Sequence, residues 1–252
     1  SKTCTNFNGQ GQSCIPGQST NTYNYSFRTG DVDILIVNDN SGSMHPEQLK
    51  MAQRFPNFLS SISHLFYQIA MVTTDITSPE SGPNAPHNGN GAWRDGKFLP
   101  FSQGEYVLNN STVGITQKFS NTIQRQETIQ CGSSGNFEST SCPSGDERGI
   151  YAMNLAAERN EQNFFRPGAH LAVIILSDED ERSNGGAYGT RLLEEKDLPE
   201  TFLQTMLSKY PSKTVSVHSV VIRPGDTQCL NAQVHYPSNG MFPLRGFEGK
   251  VY

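Results

Sequence analysis

The sequence predicts an α/β domain: a doubly wound, mostly parallel sheet flanked by helices, with long loop insertions. Three observations predict it. Apolar runs of strand length recur at 32–38, 67–73, 171–176 and 214–222. Segments with apolar residues at three- and four-residue steps lie between them, and alternating strands and helices favour parallel pairing. The runs also lead into Asp39, Asp75 and Asp178. Open α/β sheets bind ligands at such carboxyl ends of strands.

The 252 residues fit one large domain or one domain with extensions. Only 35% are hydrophobic, with 23 Gly and 14 Pro, which predicts a modest core and decorated loops. The net charge is −5, and no cluster of Lys or Arg offers the positive surface that phosphate needs. Nucleic acid and anionic membrane surfaces are therefore not expected as partners. No run approaches the roughly 18–20 apolar residues of a transmembrane segment. Ser1 reads as the start of a mature or trimmed chain, with any export signal already excluded.

Residues 1–30 are polar and read as an irregular N-terminal extension, with a short edge strand where Tyr23, Tyr25 and Phe27 alternate. The main domain is expected over 31–252. Its first strand covers 32–38, and a helix follows from about His45 to Leu65. Leu49, Ala52, Phe55, Leu59, Ile62 and Phe66 mark its buried face. Pro46 suits the first turn, whereas Pro56 is expected to kink or divide the helix. Tyr67–Thr73 reads as the second strand. The 77–95 loop contains Trp93, the only tryptophan, and a loop of that length is usually functional or disordered. Gly96–Leu99 and Tyr106–Leu108 read as short strands or hairpin pieces. A helix is expected over 115–130 and another from Gly149. Leu171–Leu176, LAVIIL, suits a central strand covered on both faces. A helix over Pro199–Lys209 and a strand over Thr214–Ile222 complete the alternation. Residues 224–252 show no clear period.

The five cysteines include two close pairs, Cys4 with Cys14 and Cys131 with Cys142, each closing a short polar loop. Such spacing favours two disulfides and an oxidising compartment over a zinc site, for which no C-x2-C pattern is present. Cys229 is left over.

Chemistry concentrates in 32–45, VDILIVNDNSGSMH, where a buried strand runs into a turn with D-x-S-x-S spacing. Asp39 supplies charge, directly or through a water. Ser41 and Ser43 supply neutral oxygens, so the turn suits a hard cation such as magnesium. A serine-rich turn capping the next helix is the plain structural reading, and the two are compatible. If the sheet is parallel, Asp39, Asp75 and Asp178 gather at one edge. Neighbouring carboxylates repel, and a divalent cation relieves that repulsion.

The DILIVNDNSGSM segment, the GDERG turn and the LAVIILSDED segment, in that order over about 31–222, resemble the von Willebrand factor A family, which includes integrin I domains. Secreted bacterial members are the nearer likeness. The resemblance implies a metal-ion-dependent adhesion site built from Asp39, Ser41 and Ser43 of the first loop and Asp178 after the LAVIIL strand. The family's second loop supplies a threonine, and that position here falls near Asp146, with Ser144 and Glu147 as alternative occupants. An acidic residue there departs from the family pattern. It adds negative charge, tightens cation binding and makes an acidic partner less welcome. The family also has a last helix after the TVSVHSVVI strand. Only a fragment of this is legible in 224–252, so the chain is expected to be truncated at Tyr252 or unusual there.

The implied cofactor is Mg2+ or Mn2+, with Ca2+ as an alternative. The implied function is cation-dependent adhesion by a secreted, cell-surface or periplasmic bacterial protein. A carboxylate of a protein or glycan partner would complete the ion's shell. The rivals are a structural module stabilised by its cation and a metal-assisted hydrolase. No H-E-x-x-H, G-x-S-x-G or Walker motif supports the hydrolase, so an enzyme is not expected. Plain readings accompany the other candidates. Asp75 reads as a turn or cap residue, and Glu179, Asp180 and Glu181 as a solvated acidic turn that alternatively holds a second cation. His45 reads as a helix start and His170 as a packing or surface histidine.

Overall fold

A computed structural model describes residues 30–76, 95–134, 142–143, 146–178, 181, 183–184, 193–220 and 227–228; of Ser133, Ser134, Asp146, Ser183 and Asn184 it describes the backbone only. The expected N-terminal extension with its Cys4–Cys14 staple, Trp93, Cys229 and the 229–252 region lie outside the described residues.

The predicted architecture is present. Strand β1 (Asp31–Asn38) leads to α1 (His45–Ile62), and β2 (Phe66–Thr73) follows. Next come β3 (Leu108–Asn109), α2 (Ile115–Ile123), α3 (Gln126–Ser134), β4 (Asp146–Glu147) and α4 (Gly149–Arg159). The chain continues through β5 (His170–Leu176), β6 (Ser183–Asn184), α5 (Pro199–Lys209) and β7 (Val215–Val220). The main sheet has the order β3-β2-β1-β5-β7, with only β3 antiparallel. A short antiparallel ribbon pairs β4 with β6.

Alternation along β1 builds two apolar layers. Ile34 and Ile36 join Phe55, Phe119, Ile69 and Met71 on the α1–α2 face. Leu35 and Val37 join Met153, Ala156, Phe202 and Met206 on the α4–α5 face. Period-two alternation between two helical layers is what a doubly wound sheet requires. The rings of Phe55 and Phe119 stack with centroids 3.5 Å apart, locking α1 to α2.

Four expectations are corrected. The central strand is β1, and LAVIIL lies between it and β7 with Leu171, Val173 and Leu176 buried and the rest half-buried. Pro56 does not divide α1, which is continuous through it. Proline leaves the carbonyl four residues back without its donor. Here the Ser120 hydroxyl of α2 donates to the Ala52 carbonyl at 3.3 Å and supplies the missing bond. On the same helix Leu49 is exposed, and Gln48 takes an inward position beside it.

The third correction is that the helix expected over 115–130 is two helices. Gln124 is extended between them. Asn38 donates to the Ile123 carbonyl at 3.1 Å, and the Arg125 amide donates to Gln48 Oε1 at 2.9 Å. Two buried side chains thus satisfy the backbone groups that the break releases. The fourth is that Gly96–Leu99 forms no strand, although the Leu99 amide donates to the Met71 carbonyl at 2.8 Å.

Candidate metal centre

Strand register assembles the site. Asn38 of β1 pairs with Thr73 of β2 on one side and Leu176 of β5 on the other. Three parallel strands therefore end at one level, and Asp39, Thr74 and Ser177 leave the sheet side by side. The Asp39 amide donates to the Leu176 carbonyl at 2.9 Å, which continues the ladder one step into the turn.

The turn is held by its own aspartate. The Ser41 amide donates to Asp39 Oδ1 at 2.8 Å, an arrangement that Asp adopts readily in turns. Gln48 of α1 donates to the Asp39 carbonyl at 2.8 Å. The Thr128 hydroxyl of α3 donates to the Asn40 carbonyl at 2.7 Å. Ser41 Oγ and Ser43 Oγ are 3.1 Å apart, and Ser43 donates to Asp178 Oδ1 at 3.2 Å. The structure thus brings Asp39, Ser41, Ser43 and Asp178 into one connected group.

The third acidic member is Glu147. Single carboxylate oxygens of Asp39, Glu147 and Asp178 all lie within 4.8 Å of one another. Glu147 was one of three readings for that position. Asp146, the first of them, contributes only backbone to the described structure, and Ser144 lies outside it. Glu147 is carried to the strand ends by its surroundings. The amide of Arg148 donates to the Thr74 carbonyl at 3.2 Å. Gly149 then seats the start of α4 on the sheet, where a Cβ would meet Ile175 Cγ2 at 3.3 Å and Val37 Cγ1 at 3.5 Å.

Sequence reasoning did not single out Ser177 or Thr74 as site residues. The Ser177 hydroxyl lies 2.8 Å from Asp39 Oδ2 and 3.2 Å from Glu147 Oε2, so one hydroxyl hydrogen serves two carboxylates. Thr74 Oγ1 approaches Asp39 Oδ1 at 3.5 Å. The available signal was position: each directly follows a strand-like run. Asp75 is buried but is not one of the three grouped carboxylates.

Burial is graded. Asp39 is 0% exposed and Glu147 2%, while Asp178 is half-buried and Ser43 exposed. Two carboxylates form the floor, and the mouth opens to solvent. Among the described residues no Lys or Arg pairs with Asp39. Three carboxylates with two serine hydroxyls form an all-oxygen donor set, which fits a hard divalent cation such as Mg2+, Mn2+ or Ca2+ and does not fit a thiophilic metal.

Behind the floor, Arg148 is fully buried. It donates through Nε and Nη2 to the two oxygens of Asp197, both at 2.8 Å, and its guanidinium lies 4.0 Å from the centroid of Tyr151. Glu181 corrects the expectation of a solvated acidic turn. It is buried and accepts the Ile150 and Tyr151 amides at 2.8 and 3.0 Å, closing the N-terminus of α4. Burial raises its pKa well above the usual carboxylate range against the pull of those two donors, and the neighbouring Asp197 raises it further. Glu179 and Asp180 lie outside the described residues. His45 starts α1, and His170 bonds Thr214 and Ser216, as expected of structural histidines.

No family model matches this chain, and no curated protein matches it either. Cys131 and Cys142 form a disulfide, one of the two expected. No described helix is long and apolar enough to cross a membrane.

Proposed function

We propose that the chain is a cation-dependent binding domain of the von Willebrand A kind, working as a binding module rather than an enzyme. The observation that carries this reading is the meeting of Asp39, Glu147 and Asp178 within 4.8 Å at the carboxyl ends of parallel strands, with Ser41 and Ser43 beside them. Asp39 and Glu147 would hold Mg2+, Mn2+ or Ca2+ from below, and Ser41, Ser43 and Asp178 from the mouth. The bound ion supplies a Lewis-acidic position that a partner oxygen can occupy. The solvent-facing side of the site is where a carboxylate of a protein or glycan partner would complete the shell. The buried disulfide supports an oxidising compartment, in keeping with a secreted, periplasmic or cell-surface location.

Glu147 is one of the residues at or beside the position where the family resemblance expects threonine. Three carboxylates around a divalent ion leave a net negative shell, so a partner carboxylate meets more repulsion than in the family pattern. That observation favours a second reading, in which the cation stabilises the domain within a larger surface assembly.

One experiment separates the two. Beads coated with the chain are applied to protein and glycan arrays in Mg2+, Mn2+ or Ca2+, and again with a chelator. Capture that the chelator reverses and that Asp39→Ala abolishes supports the binding reading. A cation-dependent rise in melting temperature with no cation-dependent capture supports the structural one.

A further inference from the structure

We propose that the Cys131–Cys142 disulfide is a positioning device for the cation site, clamping the serine turn and Glu147 into one preorganised unit. The inference rests on the cation reading above and adds the element that holds the site in shape before the ion arrives.

The bridge joins two segments that each reach the site. On one side is α3, which lies along the serine turn. Its Thr128 hydroxyl donates to the Asn40 carbonyl at 2.7 Å and receives a bond from Gln48 Nε2 at 3.1 Å. Asn40 Nδ2 donates to Glu127 Oε1 at 3.3 Å. One turn further, Gly132 brings its backbone so close to Gly42 that a Cβ there would stand 2.3 Å from the Gly42 carbonyl oxygen. Cys131 is the neighbour of that glycine. On the other side, Cys142 opens the short segment that ends at Glu147. Both cysteines are buried, at 4% and 3% exposure, with Cα atoms 5.9 Å apart. The path therefore runs from the turn bearing Asp39, Ser41 and Ser43, across hydrogen bonds to α3, and then covalently through the bridge toward Glu147.

The physical need for such a clamp follows from charge. Without a cation, three carboxylates within 4.8 Å push one another apart. Asp39 is fixed by the sheet register, whereas Glu147 sits in a two-residue strand whose partner strand among the described residues is also two residues long. A cross-link that keeps Glu147 near the turn removes ordering cost that cation binding would otherwise bear. Cys131 and Cys142 are thus positioning residues, since neither supplies an oxygen ligand.

The test is calorimetric titration of Mg2+ into the metal-stripped full chain and into Cys131→Ala/Cys142→Ala, with far-UV circular dichroism to establish the folded state. The proposal expects affinity at least about tenfold weaker in the double variant, with the spectrum unchanged, on the scale seen when outer supports of metal sites are lost. It also expects that in a Glu147→Gln background the same cysteine removal changes affinity little, because the bridge acts through Glu147; a merely structural bridge would weaken both backgrounds alike. Unchanged affinity in the folded double variant overturns the proposal. Should that variant fail to fold, Gly132→Ala decides. It forces α3 off the turn with the bridge intact, and affinity equal to that of the unaltered chain overturns the clamp. Absence of Mg2+ binding by the unaltered chain is a different result: it removes the cation reading itself, and the clamp with it.

Discussion

Strand β1 has a buried aspartate near each end, and the two are managed in opposite ways. Asp33, near the start, is 0% exposed and surrounded by cations. Arg166 Nε donates to its Oδ1 at 2.6 Å and the Arg166 amide to its Oδ2 at 2.9 Å. Lys213, itself fully buried, also donates to Oδ2. Lys213 reaches on to the carbonyls of Arg166 at 2.8 Å and Ala169 at 2.9 Å, tying β1 to the loops that enter β5 and β7. Asp39, just past the other end, is equally buried but faces two more carboxylates and no described cationic side chain. The first end is neutralised by the chain itself and serves stability. The second concentrates negative charge, which is a poor way to stabilise a fold and a good way to bind an ion.

The largest expected effect comes from breaking the balanced end. Asp33→Ala leaves Lys213 buried without its counter-charge and is expected to cost about 3–5 kcal/mol. Denaturant unfolding checks it, and the loss is expected to be the same with and without divalent cation. Asp39→Ala is expected to do the reverse. The metal-free protein loses less than with Asp33→Ala, because the relief of a repulsive charge offsets the loss of the acceptor for the Ser41 amide. The rise in stability with cation, about 2.7 kcal/mol at a free concentration 100 times the dissociation constant, disappears. Thermal melts with and without Mg2+ read both variants, and equal effects of the two substitutions would erase the distinction between the ends.

Glu181 shows a third treatment of a buried carboxylate, held by the two amides that open α4. Burial, opposed by the two amides of α4 and reinforced by Asp197, lifts it well above its ordinary value near 4.5. A raised value in the folded state means that its contribution to stability is fully present below about 4.5 and lost as pH climbs through the folded value. The metal-free protein is therefore expected to lose stability over that rise. Glu181→Gln, which keeps an oxygen facing the amides, flattens the profile. Melting temperature against pH checks it, and an unchanged slope in the variant counts against this account. The smallest effect expected is about 1 kcal/mol for Ser120→Ala, which removes the hydroxyl that replaces the bond lost at Pro56. Urea denaturation reads it.

How much of this was legible in the sequence depends on the range of the interactions. The four parallel strands and α5 were legible because apolar periodicity is a local signal; α5 matches its expected limits at Pro199 and Lys209. Asp39, Ser41, Ser43 and Asp178 were legible because spacing after a strand places them. The meeting of Glu147 with Asp39 and Asp178 was not, since it depends on how Arg148 and Gly149 dock onto β2 and the sheet. Nor was the continuity of α1 through Pro56, where the Ala52 carbonyl is met by a serine 68 positions away. Glu181 looked like one charge in an acidic run, and only the nearby start of α4 gives it a buried role. In each case the deciding partner is distant in sequence and its residue type is ordinary.

The most direct measurement is calorimetric titration of Mg2+, Mn2+ and Ca2+ into the metal-stripped chain, beside Asp39→Ala. Saturable binding of about one equivalent by the intact chain, absent from the variant, is the predicted result. The intact chain failing to bind any of the three ions, or the variant binding as well as the intact chain, would contradict the assignment of the three-carboxylate group as a metal centre.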